Sequence, residues 1–168
     1  MPPPVQRAAE FGISYRALGE DDLPFTAAVY AATRTEELAV TGWPEEVKQA
    51  FLAHQHAAQH HHYQAHYPDA DWLIVERDAI AIGRLYVQEG ASEIRLIDIA
   101  LLPEHRGAGI GTALVDDLLG WARTLGKAVS LHVEPNNPVR RLYIRRGFVP
   151  GETQGAYQRM DWEPSTSL

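Results

Sequence analysis

The sequence predicts an α+β fold built on a mixed sheet, with elements in the order β-α-α-β-β-β-α-β-α-β-β. Three patterns carry that reading. Two helical segments precede most of the strands, three strand-period segments then follow in a row, and a glycine-rich turn leads from the last of these into a long amphipathic helix. At 168 residues the chain suits one domain over 1–168 and buries a core without staples. Residues 1–10, which open on MPPP, and 163–168, EPSTSL, read as flexible tails.

Phe11 to Leu18 (FGISYRAL) forms the first strand. The acidic GEDDL after it opens a helix reaching about Ala32, because carboxylates favour the positive end of the helix dipole. Pro44, Glu45 and Glu46 make the first turn of a second helix, which runs to about Tyr67 and stops at Pro68. Asp71 to Arg77, Ile80 to Val87 and Glu93 to Leu102 then alternate as strands separated by short turns, an antiparallel meander. The third is apolar on both faces, Ile94, Leu96 and Ala100 against Ile97, Ile99 and Leu101, so it belongs at the centre of the sheet. Ile110, Leu114, Leu118, Ala122 and Leu125 mark one face of a long helix that Gly126 ends. Lys127 to Val133 is a strand, Asn137 to Gly147 a short helix, and GFVPGET and GAYQRMDW are the last two strands.

A net charge of −7 and a pI near 5.6 repel phosphate backbones and anionic lipid, so neither nucleic acid nor a membrane is expected as a partner. The same field would steer a cationic amine inward. The absence of cysteine excludes disulfides, thiolate metal sites and a cysteine nucleophile. No apolar run has the length of a signal segment or a membrane span, which points to a cytoplasmic protein.

HRGAGIGT (His105 to Thr112) joins the central strand to the long helix, just after Pro103. Gly107, Gly109 and Gly111 tolerate positive φ and carry no side chain, so successive N–H groups turn inward and an anion approaches the backbone. The unpaired N–H groups of the first helical turn add positive partial charge there. A diphosphate is the natural guest, although such glycines also serve tight packing alone. The spacing matches neither the P-loop, which needs Lys before Ser or Thr, nor the dinucleotide fingerprint, which needs two residues between its second and third glycines.

IDIALLPEHRGAGIGTALVDDLL followed by LHVEPNNPVRRLYIRRGFVP resembles the acetyl-CoA-binding core of the GCN5-related N-acetyltransferase (GNAT) superfamily. The first stretch matches its Arg-x-x-Gly-x-Gly loop at Arg106, Gly109 and Gly111. The second matches its pattern of strand, Asn, Leu-Tyr and Gly-Phe at Asn137, Leu142-Tyr143 and Gly147-Phe148. The resemblance implies a central mixed sheet with helices on both faces, and acetyl-CoA as co-substrate held by the backbone of Arg106, Gly107, Ala108, Gly109, Ile110, Gly111 and Thr112. Main-chain groups of Ile99, Ala100 and Leu101 would meet the pantetheine arm and the acetyl carbonyl, in a slot where that strand parts from the next. Asn137 would contact the pantetheine, and it also reads as a cap for the helix after it. Tyr143 would be the general acid for the departing thiolate, a phenol staying protonated at neutral pH. Its place in the stripe Val139, Leu142 and Tyr143 suits packing as well.

Asp98 is the first candidate for the base that deprotonates the attacking amine, since a carboxylate on the face of Ile94, Leu96 and Ala100 needs a partner or a function. A structural carboxylate is the other reading, and Glu93 lies toward the solvent end of the strand. In HQHAAQHHHYQAH, His56 with His60 and His62 with His66 have the i, i+4 spacing of metal ligands. The pairs face different ways and lack an acidic neighbour, so a polar helix face is expected, with no metal. By resemblance the two early helices border the acceptor site, which brings Glu36, Glu37, Trp43, Tyr63 and the nearby histidines close to substrate. The function expected is acetyl transfer to a primary amine of a small molecule or peptide by direct attack, in a monomer or a homodimer. A non-catalytic acyl-CoA sensor is the competing reading.

Overall fold

A computed structural model describes residues 3–165. Its one sheet has seven strands, β1 (Ile13–Ala17), β2 (Asp71–Arg77), β3 (Ile80–Glu89), β4 (Glu93–Leu101), β5 (Ala128–Val133), β6 (Val149–Gln154) and β7 (Tyr157–Trp162), in the order β1-β2-β3-β4-β5-β7-β6. The four helices are α1 (Leu23–Ala39), α2 (Glu45–His66), α3 (Ile110–Leu125) and α4 (Arg140–Arg145). β2, β3 and β4 are the antiparallel meander, β4 stands fourth of seven, and β4 and β5 are the parallel pair that makes the sheet mixed.

One sheet face carries Leu85, Val87, Ile94, Leu96, Leu131 and Val133 into the main core, where α3 lays down Ile110, Leu114, Leu118 and Ala122 and α4 adds Leu142 and Tyr143. α1 and α2 lie over the other face, with Val29 and Tyr30 buried on α1 and Leu52 and His56 on α2. The four-residue ridge of α3 fits the spacing of a helix that must hide one stripe. Gly83 is required by close approach, because a Cβ there would run into the carbonyl oxygen of Ala100 and come within 2.8 Å of Leu101 Cδ2.

Several boundaries differ from the sequence expectation. GEDDL is a separate 3₁₀ turn closed by the Gly19 N–H donating to Asp22 Oδ2 at 2.8 Å, and α1 starts after it and runs on to Ala39. The extension holds because TRTEELA contains no breaker and pairs Arg34 with Glu37 at 2.8 Å, three residues apart. α4 begins at Arg140 rather than Asn137. The tail reading of residues 1–10 is corrected for its inner half. The N–H groups of Gln6, Arg7 and Ala8 donate to the carboxylate of buried Asp117 at 2.9, 2.8 and 3.0 Å, and Ala8 is wholly buried ahead of a 3₁₀ turn over Ala8–Phe11. Met1, Pro2 and residues 166–168 lie outside the described residues.

Two irregularities of β4 position the site. Tyr86 pairs with Asp98 but Val87 with Leu96, so Ile97 is an extra residue, a β-bulge. Along the other edge, β4 and β5 pair only at Glu93 with Ala128, Ile94 with Val129 and Arg95 with Ser130. Beyond those pairs the two strands part, and β4 runs on to Leu101 with that edge open.

Candidate functional site

The glycine turn has the backbone that an anion nest needs. Pro103–His105 forms a 3₁₀ turn, Gly107 and Gly109 have φ of 77° and 90°, and Gly109 is the residue from which α3 starts. No side chain caps that helix start, so its first-turn N–H groups have no side-chain partner there, while the Arg106 N–H donates to the Pro103 carbonyl at 3.2 Å. A Cβ added to Gly107 or Gly111 would meet nothing within 4 Å, whereas at Gly109 it would lie 3.5 Å from Phe11 Cζ. Space alone therefore does not demand glycine at Gly107, and conformation does. The side chain of Arg106 turns back, its Nε donating to the Leu101 carbonyl at 2.9 Å, and so ties the turn to the end of β4. Ala108, Ile110 and Thr112 complete the segment, with Ile110 fully buried as its anchor in the core.

From Leu96 onward the β5 side of β4 is unpaired, so alternate main-chain groups among Ile99, Ala100 and Leu101 face the slot between the strands. Tyr143 enters this region from α4. It is 3% exposed, its ring lies 5.3 Å from that of Phe148, and burial, aided by the charge of Asp98, raises its pKa. The phenol is thus held in its proton-bearing form. Asn137 Oδ1 accepts from the Val139 N–H at 3.0 Å, the turn-capping role, which leaves its NH₂ group exposed.

Asp98 does not share a face with Ile94 and Leu96, because the bulge at Ile97 reverses the alternation. It stands with Ala100 on the α1 and α2 side, paired across to Tyr86 and Arg84. There Arg84, 3% exposed, sets a terminal nitrogen 2.5 Å from Asp98 Oδ2. The same nitrogen donates to Gln59 Oε1 of α2 at 2.9 Å, and the guanidinium lies 5.2 Å from the Tyr86 ring centre. The ion pair raises the Arg84 pKa against the opposing effect of burial. Arg84 in turn reinforces burial in lowering the pKa values of His56 and His60. Tyr63 is raised by burial and by Asp98.

Over this network a cavity of about 470 Å³ opens on the α1 and α2 side of the parted strands. Tyr30 and Arg34 line it from α1, Gln55, Gln59, His62 and Tyr63 from α2, Arg95, Ile97 and His132 from the sheet, and Gln154 and Tyr157 from the last hairpin. Of the residues expected near an acceptor, Tyr63 and His62 reach it. Glu37 bonds Arg34 instead, Trp43 packs edge-on against Phe51 at 5.4 Å, and Glu36 is exposed on α1. Arg84, Arg95 and His132 were not singled out from the sequence. The one available signal was a charged residue inside each apolar strand, and it becomes a cluster only with the sheet register. Among the described residues no three His, Asp or Glu come together as a metal site, and His56 Nε2 is paired with Thr26 Oγ1 at 3.0 Å. No helix among them is long and apolar enough to cross a membrane.

The fold recurs in solved structures. A PaiA N-acetyltransferase from Thermoplasma acidophilum, solved in complex with coenzyme A, superposes with a TM-score of 0.66 at 22% identity, over 90% of this chain and 98% of that one. A GCN5-related N-acetyltransferase from Rhodopseudomonas palustris gives 0.62 at 20% identity, over 89% and 94%. The ribosomal-protein-S18-alanine N-acetyltransferase from Escherichia coli gives 0.58 at 20%, over 93% and 96%. No curated protein matches the sequence significantly. The family model described as "Acetyltransferase (GNAT) family" matches residues 33–148, which include the glycine turn, both parted strands and Tyr143, and the chain belongs to that family.

Proposed function

We propose that the protein transfers an acetyl group from acetyl-CoA to a primary amine by direct attack within a ternary complex. The observation that carries this reading is the open edge of β4, flanked at one end by the glycine turn and on the α1 and α2 side by the cavity. Arg106 to Thr112 hold the diphosphate through backbone N–H groups, and Asn137 turns its free NH₂ to the pantetheine. Ile99, Ala100 and Leu101 offer main-chain groups to the pantetheine and the acetyl carbonyl, which polarises the carbonyl as the amine adds.

The amine nitrogen bonds the acetyl carbon, the carbon–sulfur bond breaks, and the leaving sulfur takes its proton from the Tyr143 hydroxyl. Asp98 takes the proton of the ammonium through water on its Oδ1, since Oδ2 is held by Arg84. After the nitrogen has bonded the acetyl carbon it gives up a second proton by the same route, and of the two protons that pass through Asp98 one returns to Tyr143 through solvent and the other is released to the medium, so the enzyme ends as it began.

The test is release of free thiol from acetyl-CoA with a panel of primary amines, read together with the mass of the product. Thiol and acetylated amine should appear in equal amounts. CoA binding by calorimetry with no thiol from any amine would leave the non-catalytic acyl-CoA module as the answer.

A further inference from the structure

The net charge of −7 suggests a cationic acceptor, yet the cavity itself has the opposite character. No Asp or Glu is among its lining residues, while Arg34 and Arg95 are. Arg34 is already neutralised, its terminal nitrogen lying 2.8 Å from Glu37 and 3.2 Å from Glu134, and it covers the face of Tyr30 at 5.5 Å. Arg84 beneath the cavity is matched by Asp98. Arg95 makes no ion pair among the described residues. Its two terminal nitrogens reach Ser130 Oγ, at 3.2 Å, and His132 Nδ1. Those partners bring no carboxylate and use two of its five N–H donors.

Its place in the sheet gives that free charge a purpose. Arg95 and Ser130 are the last pair before β4 and β5 part. The guanidinium therefore lies across the closed end of the slot, on the cavity side.

We propose that the acceptor is a compact amine bearing a carboxylate near its amino group, of amino-acid type, and that Arg95 holds the carboxylate. This rests on the acetyl-transfer reading above. A planar fork with donors to spare matches a carboxylate in two parallel hydrogen bonds, and the tyrosine hydroxyls and glutamines around it serve the remainder of the ligand. The cavity volume suits a small molecule. A polyamine would instead bring several cations beside Arg95 and find no carboxylate in the lining.

The experiment pairs L-phenylalanine, L-leucine and L-histidine with their carboxamides and their decarboxylated amines, and adds spermidine. Thiol release gives kcat/KM, and calorimetry on the protein with CoA bound gives affinity without requiring turnover. The carboxylate members should be preferred by about tenfold or more, because a site built to pair a group rejects the analogue lacking it. Arg95→Gln should raise KM for the carboxylate members and abolish the preference while the melting curve stays that of a folded protein, and Arg95→Lys should restore part of it. Equal use of all forms, preference for the amide, amine or spermidine, or no binding by any carboxylate member would overturn the proposal. Acetylation without a carboxylate preference refutes this inference alone, whereas a carboxylate preference in binding with no thiol release refutes only the transfer reading.

Discussion

Arg84 is the most deeply buried charge among the described residues, at 3% exposure, and Asp98 is its counter-ion. Removing one partner of such a pair leaves an uncompensated charge in a poor solvent, whereas replacing both with apolar groups removes the problem. Asp98→Asn should therefore cost about 3 kcal/mol in urea unfolding, the low end of the range because the Asp98 side chain is 21% exposed. The double variant Arg84→Met with Asp98→Leu should recover most of that loss and none of the acetyl transfer. A cost below about 1 kcal/mol for Asp98→Asn would mean that Arg84 is satisfied without it. Tyr143 separates chemistry from binding in the same way. Its ring already packs with Phe148, so Tyr143→Phe should melt like the parent and bind CoA as well. Its kcat should fall about 100-fold, the usual scale for a lost general acid, and an unchanged kcat would remove the hydroxyl from the mechanism.

At the scale of elements, Gly109 turns the chain from the 3₁₀ segment into α3 at φ 90°. Gly109→Ala should place strain of about 1–2 kcal/mol on that turn and set its Cβ against Phe11. CoA affinity should fall about tenfold by calorimetry, that strain being removed by tilting the amides out of the nest. Affinity unchanged by the substitution would mean that the turn is a packing device. The identity and order of elements were legible because they follow local periodicity: the four-residue ridge of α3, the alternation of the meander, and Pro68 and Gly126 as stops. What was not legible depends on pairing. The bulge at Ile97 adds no breaker to EIRLIDIAL, yet it moves Asp98 to the opposite face and toward Arg84. The early parting of β4 from β5 is likewise a property of two strands and of neither alone. The anchoring of residues 6–8 by Asp117, more than a hundred positions away, leaves no local signature. Around the cavity the same rule holds: the glycine turn stands out in the sequence as a local pattern, whereas Arg84, Arg95 and His132 come together only through the sheet register.

The whole molecule carries a titration that follows from how its tyrosines are buried. Tyr15, Tyr63, Tyr86 and Tyr143 all have pKa values raised above the ordinary 10.0, in each case chiefly by burial. A phenol raised in the folded state keeps its proton after the unfolded chain has lost it, so the unfolded state binds fewer protons and stability declines with rising pH. The contribution is intact below pH 10 and is lost progressively above it, at up to about 1.4 kcal/mol per pH unit for each tyrosine. Four acting together would exhaust a stability of roughly 5–15 kcal/mol within about one to three units. Alkaline unfolding should therefore be steep and begin near pH 10, with tyrosinate absorbance and loss of ellipticity rising in one transition. Tyr15 gives a control, since its hydroxyl is buried without a hydrogen-bond partner among the described residues. Tyr15→Phe should both stabilise the protein at neutral pH and shallow the alkaline slope by about one proton. Absorbance that rises to the full count of the seven tyrosines while ellipticity holds would mean that these phenols reach solvent in the folded state.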